Sequence, residues 1–225
     1  MQIVIVGYGL MGNAVEKFCK VKNIQISSIL RNKNDIINYK SQPNDVIIDF
    51  TSGESFVDNI DELLCKNIPI VVGSTGWDNK FEEIKSKIEK ANISFCWGKN
   101  FSTSVYQFYS IVEFATKKLK LLDNLKIHIN EIHHTKKKDS PSGTALNLQK
   151  IVATSYNSNV DITSKRIGDI IGEHSVIYNG DAENIVLYHK STSKDCYVKG
   201  ALLCAEYLLK NNGFYCVEDI FKEIL

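Results

Sequence analysis

Three of the chain's five histidines, His128, His133 and His134, fall within seven residues of one another. Three lysines follow at 136–138, and a Pro-Ser-Gly-Thr turn comes next at 141–144. A histidine changes protonation near neutral pH and can act as a general acid. A lysine a few residues away adds a cation and a second source of protons. The turn runs into a helical pattern, so its N–H groups and hydroxyls sit at a positive helix end, which suits a carboxylate. The segment is therefore suited to gripping a small dianion and giving it a proton. Plainer readings exist: a strand histidine is often a packed residue, and a lysine block is usually a solvated face. A metal site is a further possibility, but no nearby cysteine or spaced carboxylate completes a tetrahedral set, so none is expected.

A second cluster lies near the start, at Gly7-Tyr8-Gly9-Leu10-Met11-Gly12. It follows the β-branched run QIVIV and opens a helical pattern, the context in which GxGxxG binds a dinucleotide. Gly7 permits the tight turn, Gly9 allows backbone to approach a pyrophosphate, and Gly12 lets helix and strand pack closely. About 20 residues further on, where a carboxylate would hold the ribose of NAD, stand Arg31 and Asn32, with no carboxylate until Asp35. Arginine accepts a 2′-phosphate, so NADPH is expected ahead of NADH. Two more loops, Asp49-Phe50-Thr51 and Gly73-Ser74-Thr75-Gly76, directly follow apolar runs read as the fourth and fifth strands of the sheet. Ligands bind outside the carboxyl ends of parallel strands, which puts Phe50, Gly73, Ser74 and Thr75 on the nicotinamide side.

The elements that must position these groups alternate. Apolar runs at 2–6, 24–30, 46–50, 68–72 and 93–97 are separated by helical patterns near 11–20, 54–65 and 78–91. That is the pattern of βαβ units around a parallel sheet buried on both faces. After about residue 102 the texture changes. A long helix is expected over 104–120, an alternating strand over 125–134, and a helix over 145–156; short strand-like pieces follow, and the stretch 201–221 reads as helical. The fold class is therefore α/β, a Rossmann-type parallel sheet domain plus an α+β domain with a mixed or antiparallel sheet.

Composition narrows the partners. A net charge of +1 creates no global field for nucleic acid or an anionic membrane. No apolar stretch approaches the roughly 20 residues of a membrane span. The start MQIVIVGYG lacks a basic leader, and the six cysteines form no CxxC pair, so reduced thiols in a soluble, cytoplasmic protein are expected.

The segment EIHHTKKKDSPSGTAL resembles the signature of the dihydrodipicolinate reductase family. VGYGLMG, DFT, GSTGW, Asn100-Phe101-Ser102, Arg166-Ile167-Gly168-Asp169-Ile170-Ile171-Gly172-Glu173-His174, His189-Lys190 and Gly200-Ala201 resemble its other blocks, in order along nearly the whole chain. The resemblance implies a dinucleotide-binding domain from 1–103 and 196–225, and a substrate-binding and oligomerisation domain from 104–195 that assembles into a homotetramer. It implies NAD(P)H-dependent reduction of 4-hydroxy-tetrahydrodipicolinate in lysine and diaminopimelate synthesis. His133 would be the general acid, and Lys137 would deliver or neutralise charge. His134, Lys137, Ser142, Gly143 and Thr144 would grip the carboxylates, and Asn100 and Phe101 would adjoin the cofactor. Leu10 stands where many members carry an arginine that holds a 2′-phosphate, which leaves that task to Arg31. The competing readings are another two-domain Rossmann dehydrogenase acting on aspartate or homoserine, and a non-catalytic nucleotide sensor.

Overall fold

The computed structural model describes residues 1–122, 124–156 and 160–225. They divide into two compact units, Met1–Thr103 with Asp195–Leu225, and Ser104–Lys194.

The first unit begins with β1 (Gln2–Val6), α1 (Leu10–Val21), β2 (Gln25–Leu30), α2 (Lys33–Asn38), β3 (Asp45–Asp49) and α3 (Gly53–Leu64). It continues through β4 (Ile70–Val72), a single 3₁₀ turn at Asp78–Lys80, α4 (Phe81–Ala91) and β5 (Phe95–Trp97). Every residue of β3 and β4 is buried, and four of the five in β1. Such strands need apolar side chains on both faces, which is why the sequence shows continuous Val/Ile runs rather than alternation. In α1 the buried residues are Gly12, Val15 and Cys19, a single stripe facing the sheet.

The second unit holds α5 (Thr103–Leu119), β6 (Lys126–His133), α6 (Gly143–Tyr156), β7 (Asp161–Arg166), β8 (Gly172–Asn179) and β9 (Asn184–Ser191). Its sheet runs β7-β6-β8-β9, with β6 and β7 parallel and the other pairs antiparallel, so it is mixed. Phe108 and Val112 of α5 and Ala145, Leu148 and Val152 of α6 meet Ile129 and Val176 in one apolar core. The chain then returns to the first unit with α7 (Asp195–Leu208), β10 (Phe214–Cys216) and α8 (Val217–Ile224).

All pairings of the first sheet are parallel, in the order β10-β5-β4-β3-β1-β2. Two sequence expectations are corrected here, and two elements are added that the sequence did not announce. The stretch 201–221 is not one helix: Asn211-Asn212-Gly213 ends it, and Phe214–Cys216 pair with β5 as an edge strand. The polar run after Leu30 contains α2, capped by the Asn32 side chain, which accepts from the Asp35 N–H at 3.0 Å. Strand β7, DITSKR, is too polar for its sequence to announce it, and it pairs through its backbone on one side only. The loops at Asp49 and Gly73 follow the third and fourth strands, not the fourth and fifth.

One close approach is strict. A Cβ on Gly200 of α7 would lie 1.7 Å from the carbonyl oxygen of Phe101, so the helix can pass that backbone only without a side chain. Gly200→Ala should therefore lower the urea midpoint by an amount equivalent to about 1–3 kcal/mol, the usual cost of overpacking. An unchanged midpoint would mean that α7 does not pass Phe101 so closely.

Candidate active site

Parallel strands put every carboxyl end on one edge of the sheet. Gly7–Gly12 follow β1, Arg31 follows β2, Phe50 follows β3, Gly73–Thr75 follow β4, and Asn100-Phe101 follow β5 by a few residues. The five groups expected to touch a dinucleotide therefore share that edge. The chain order reverses between β1 and β3, which makes their junction the topological switch point of the sheet.

The glycine turn is built for backbone approach. Gly7 has a φ of +84°, and a Cβ there would strike Thr51 Cγ2 at 2.6 Å. A Cβ on Gly12 would lie 2.1 Å from the Gly7 carbonyl oxygen, so α1 rests directly on the turn. At Gly9, by contrast, a Cβ would meet nothing within 4 Å. Gly9 is also the N-cap of α1 and supplies no side-chain cap, nor is there an acidic residue in the first turn. Helix α3 differs, since Ser52 accepts from the Ser55 N–H at 3.2 Å. An uncapped, uncrowded and positive helix end at the switch point fits a pyrophosphate.

Around it, the Arg31 guanidinium lies 4.7 Å from the centre of the Tyr8 ring. The Tyr8 hydroxyl donates to Glu16, which also pairs with Lys20 at 2.7 Å. Asp35 does not serve as a bare carboxylate: one oxygen accepts from the Arg31 N–H at 2.7 Å and from Asn32 Nδ2 at 3.1 Å. The Phe50 ring covers Gly73, where a Cβ would lie 2.1 Å from Cε1, and meets Phe101 edge-on at 6.1 Å. Ser74 is buried, and its carbonyl accepts from both Trp77 Nε1 and Trp97 Nε1. Thr75 is exposed, and Asn100 Oδ1 accepts from the Ser102 N–H at 2.8 Å. Asp49 is fully buried, and burial pushes its carboxyl up to about 6 against the pull of hydrogen bonds from Thr51.

The second unit holds the other cluster. Side chains two apart on a strand share a face, so Glu131 and His133 of β6 point the same way as Ile127 and Ile129. His128 takes the other face, where its Nε2 meets Asn130 Oδ1 and Thr163 Oγ1. Glu131 has no exposure and His133 has 7%. The register sets Arg166 of β7 beside His133, and His174 of β8 beside Glu131, with His189 of β9 beyond. Glu131 Oε2 pairs with His133 Nδ1, and Oε1 accepts from Arg166 Nη1 at 2.8 Å. The His133 and His174 rings sit edge to face at 5.1 Å.

The loop beyond β6 is tied to the same strands. Arg166 Nη2 donates to the Asp139 carbonyl at 2.6 Å, and the Thr135 N–H donates to the Gly168 carbonyl at 3.1 Å. Lys137 pairs with Asp139 at 2.9 Å, and its N–H donates to the His134 carbonyl. His134 itself lies one residue past the strand, half-buried. Ser142 Oγ caps α6 by accepting from the Ala145 N–H at 3.2 Å and meets His174 Nε2 at 3.2 Å. Gly143 and Thr144 form the first turn of that helix, and a Cβ on Gly143 would meet nothing within 4 Å.

Charges here are displaced in a consistent sense. Burial holds His133 below its ordinary range, with Glu131 pulling up and Lys137 and Arg166 adding to the fall. Burial raises the Glu131 carboxyl, but Arg166 and His133 outweigh it and keep it below the usual carboxylate range. Glu131, His133 and His174 each place one ligand-type atom within 4.8 Å of the others. Both Glu131 oxygens are already engaged, and two nearby cations oppose a further positive ion, so the cluster is arranged to handle protons.

Sequence reasoning assigned no role to Glu131, Arg166, His174 or Gly172. The i, i+2 spacing of Glu131 and His133 was the available signal. A Cβ on Gly172 would lie 3.0 Å from His133 Nε2, so glycine there leaves room for the ring.

A parallel sheet with an open glycine turn at its switch point, followed in the chain by a unit with a buried proton-handling pair, defines a Rossmann-class oxidoreductase taking a pyridine nucleotide. The family models "Dihydrodipicolinate reductase, N-terminus" and "Dihydrodipicolinate reductase, C-terminus" match residues 1–101 and 104–221. The 4-hydroxy-tetrahydrodipicolinate reductase of Thermosipho africanus is 32% identical over 226 residues, 99% of this chain and 99% of that protein. That of Christiangramia forsetii is 28% identical over 238 residues, 100% of this chain and 99% of the relative. The dipicolinate-bound dihydrodipicolinate reductase of Paenisporosarcina sp. TG-14 has the same fold, with a TM-score of 0.73 at 18% identity over 98% of this chain and 99% of that one. The chain belongs to the dihydrodipicolinate reductase family.

The His174 environment predicts a pH effect on stability. Burial first, and the His133 charge next, push its pKa down to about 3. Unfolded, a histidine titrates at about 6.5. Between those values the unfolded chain takes up a proton that the folded chain refuses. The stability is thus present above pH ~6.5 and lost toward pH 3, by up to about 1.4 kcal/mol per pH unit. Urea unfolding between pH 7 and pH 5 should show this loss, and His174→Gln should flatten it. An equal slope in both proteins would remove His174 as the cause.

Proposed function

We propose that this chain reduces 4-hydroxy-tetrahydrodipicolinate to tetrahydrodipicolinate with NADPH, or less favourably NADH, in lysine and diaminopimelate biosynthesis. The overall change removes the 4-hydroxyl as water and adds one hydride and one proton. In this reading, residues 1–103 and 196–225 bind the dinucleotide, and 104–195 bind the substrate and mediate assembly as a homotetramer. Exposed Val186 and Tyr188, two apart on β9 and so on one face, offer an apolar surface for that assembly. Six unbonded cysteines accord with a cytoplasmic setting.

The observation that carries the proposal is the buried Glu131–His133 pair of β6 beside His174 of β8, which meets the Ser142 hydroxyl at the start of α6. When bound, the nicotinamide supplies hydride to the conjugated imine of the substrate. The enamine left behind needs a proton on carbon, and His133 would give it from Nε2. Lys137 offsets negative charge as it develops. One substrate carboxylate lies against Ser142, Gly143 and Thr144, where a hydroxyl and a positive helix end receive it. His134 and Lys137 hold the other. In the absence of substrate, burial and the two cations keep His133 from holding its proton firmly. A dianionic substrate reverses that balance and draws the proton onto the ring just when it is needed.

For the cofactor, Gly7, Tyr8, Gly9, Leu10, Met11 and Gly12 would cradle the pyrophosphate. Phe50, Gly73, Ser74, Thr75, Asn100 and Phe101 would line the nicotinamide side. Arg31, held over Tyr8, would take the 2′-phosphate.

Purified chain should oxidise NADPH with the condensation product of pyruvate and aspartate semialdehyde. It should not reduce oxidised cofactor with aspartate or homoserine. Turnover on either amino acid instead would overturn the proposal, as would nucleotide binding without any turnover. His133→Gln should lower kcat by about 10²–10⁴-fold while the NADPH dissociation constant stays within twofold or so; full turnover would take His133 out of the chemistry. Arg31→Glu should weaken NADPH by about tenfold or more, since a charge-assisted hydrogen bond contributes roughly 1.5–3 kcal/mol, and leave NADH nearly unchanged. Equal losses for both cofactors would show that Arg31 does not read the phosphate.

A further inference from the structure

We infer that Glu131 and Arg166 are positioning residues for proton delivery: Glu131 fixes which nitrogen of His133 carries the transferable proton, and Arg166 limits how tightly that proton is held. The inference deepens the proposed function and rests on its reading of His133 as the acid.

The argument begins with hydrogen-bond capacity. An ionised carboxylate can only accept, so its partner His133 Nδ1 must carry a hydrogen in both the neutral and the charged ring. The proton that comes and goes is therefore the one on Nε2. After donation the neutral ring already has the tautomer that Glu131 requires, and no rearrangement is needed before the next turnover. Gly172 keeps the space beside Nε2, where a Cβ would stand 3.0 Å away.

Glu131 could not play this part alone. A fully buried carboxylate with one neutral partner would tend to take up a proton and lose its charge. Arg166 meets its other oxygen at 2.8 Å and secures the ionised form. The same guanidinium opposes a second positive charge on His133. The imidazolium is thus stabilised by one carboxylate and resisted by Arg166, by Lys137 from the following loop, and by burial.

The surrounding groups are few. Glu131 comes from the ring's own strand and Arg166 from β7. His174 of β8 is 5.1 Å away, with His189 of β9 at 6.3 Å from it in turn. Lys137 carries its partner Asp139 at 2.9 Å. His174 is neutral at any pH well above about 3. The charge balance on His133 is therefore set by Glu131 on one side and by Arg166 and Lys137 on the other.

Opposite signs make this testable. Removing Glu131 takes away what raises the His133 pKa, so the pKa falls. Activity that needs protonated His133 is lost as pH rises through that pKa, so the alkaline limb of kcat/KM moves to lower pH. Removing Arg166 takes away a cation that opposes a proton on either group, so the coupled Glu131–His133 pair takes up its proton at higher pH and the limb moves up.

The experiment uses the full chain with NADPH and the pyruvate–aspartate semialdehyde product. It records kcat/KM against pH for the parent, Glu131→Gln, Glu131→Asp and Arg166→Met. Titration of the His133 ring by NMR runs in parallel on the same proteins without substrate. Glu131→Gln should shift both the limb and the ring titration down by roughly one to three pH units, and Arg166→Met should shift both up. Glu131→Asp should restore part of the parent profile. A variant that merely disturbs packing would lose activity at every pH and move neither limb. If Glu131→Gln does not fold, an upward shift in Arg166→Met supports the inference, and no shift or a downward one overturns it. Unmoved limbs, or both shifts in one direction, overturn it as well. Full turnover in His133→Gln would instead remove the reading of His133 as acid, while the ring titration would still decide whether Glu131 and Arg166 govern its charge.

Discussion

A carboxylate with no solvent exposure, Glu131, is the constraint around which the second unit is organised. Taking an ionised group out of water costs several kcal/mol unless its lone pairs are met and its charge is offset. Meeting that demand requires Arg166 from the neighbouring strand and His133 two residues along its own. It also fixes the register of β6 against β7, because a slip of one residue would turn Glu131 to the opposite face and leave Arg166 without it. Arg166 then reaches on to the Asp139 carbonyl, so the loop that holds Lys137 and leads to Ser142 is anchored to the same ion pair. One electrostatic requirement thus orders a strand pair, a loop and a helix end.

The first unit is organised by sterics instead. Its cradle depends on places where side chains are missing: Gly12 against the Gly7 carbonyl, Gly53 against the Thr75 carbonyl, Gly73 beneath the Phe50 ring. At the first two backbone passes backbone, and at the third an aromatic ring lies on it, at distances no Cβ would tolerate. Where open space is wanted, at Gly9, it is left. The vacancy at Gly9, at an uncapped helix end, is space of the kind an anion takes.

Much of this was legible in the sequence because it rests on local rules. The βαβ rhythm, the buried parallel strands and the context of the glycine turn follow from periodicity and position. So does the pairing of a histidine-lysine segment with a helix start at Ser142. What stayed hidden depends on pairings distant in sequence. Glu131 and Arg166 are 35 residues apart, and Glu131 and His174 more than forty; only the strand register joins them. Strand β10 hid for a different reason. Three residues between two helices carry too little pattern to be recognised, and Phe214–Cys216 become a strand only because β5 offers an unpaired edge. Polar β7 is similar, being held by backbone and by what its side chains meet.

That edge has a consequence for the order of events during synthesis. β5 leaves the ribosome more than a hundred residues before β10, and the whole second unit is translated in between. Throughout that interval the sheet presents an unpaired row of N–H and C=O groups at β5, with Phe95 lacking the Phe214 ring that later stacks on it at 5.1 Å. The nascent first unit is therefore a half-finished sheet with a sticky border, and its completion waits on a strand that follows the whole second unit in the chain. A chaperone that binds unpaired strand edges has its window and its target there.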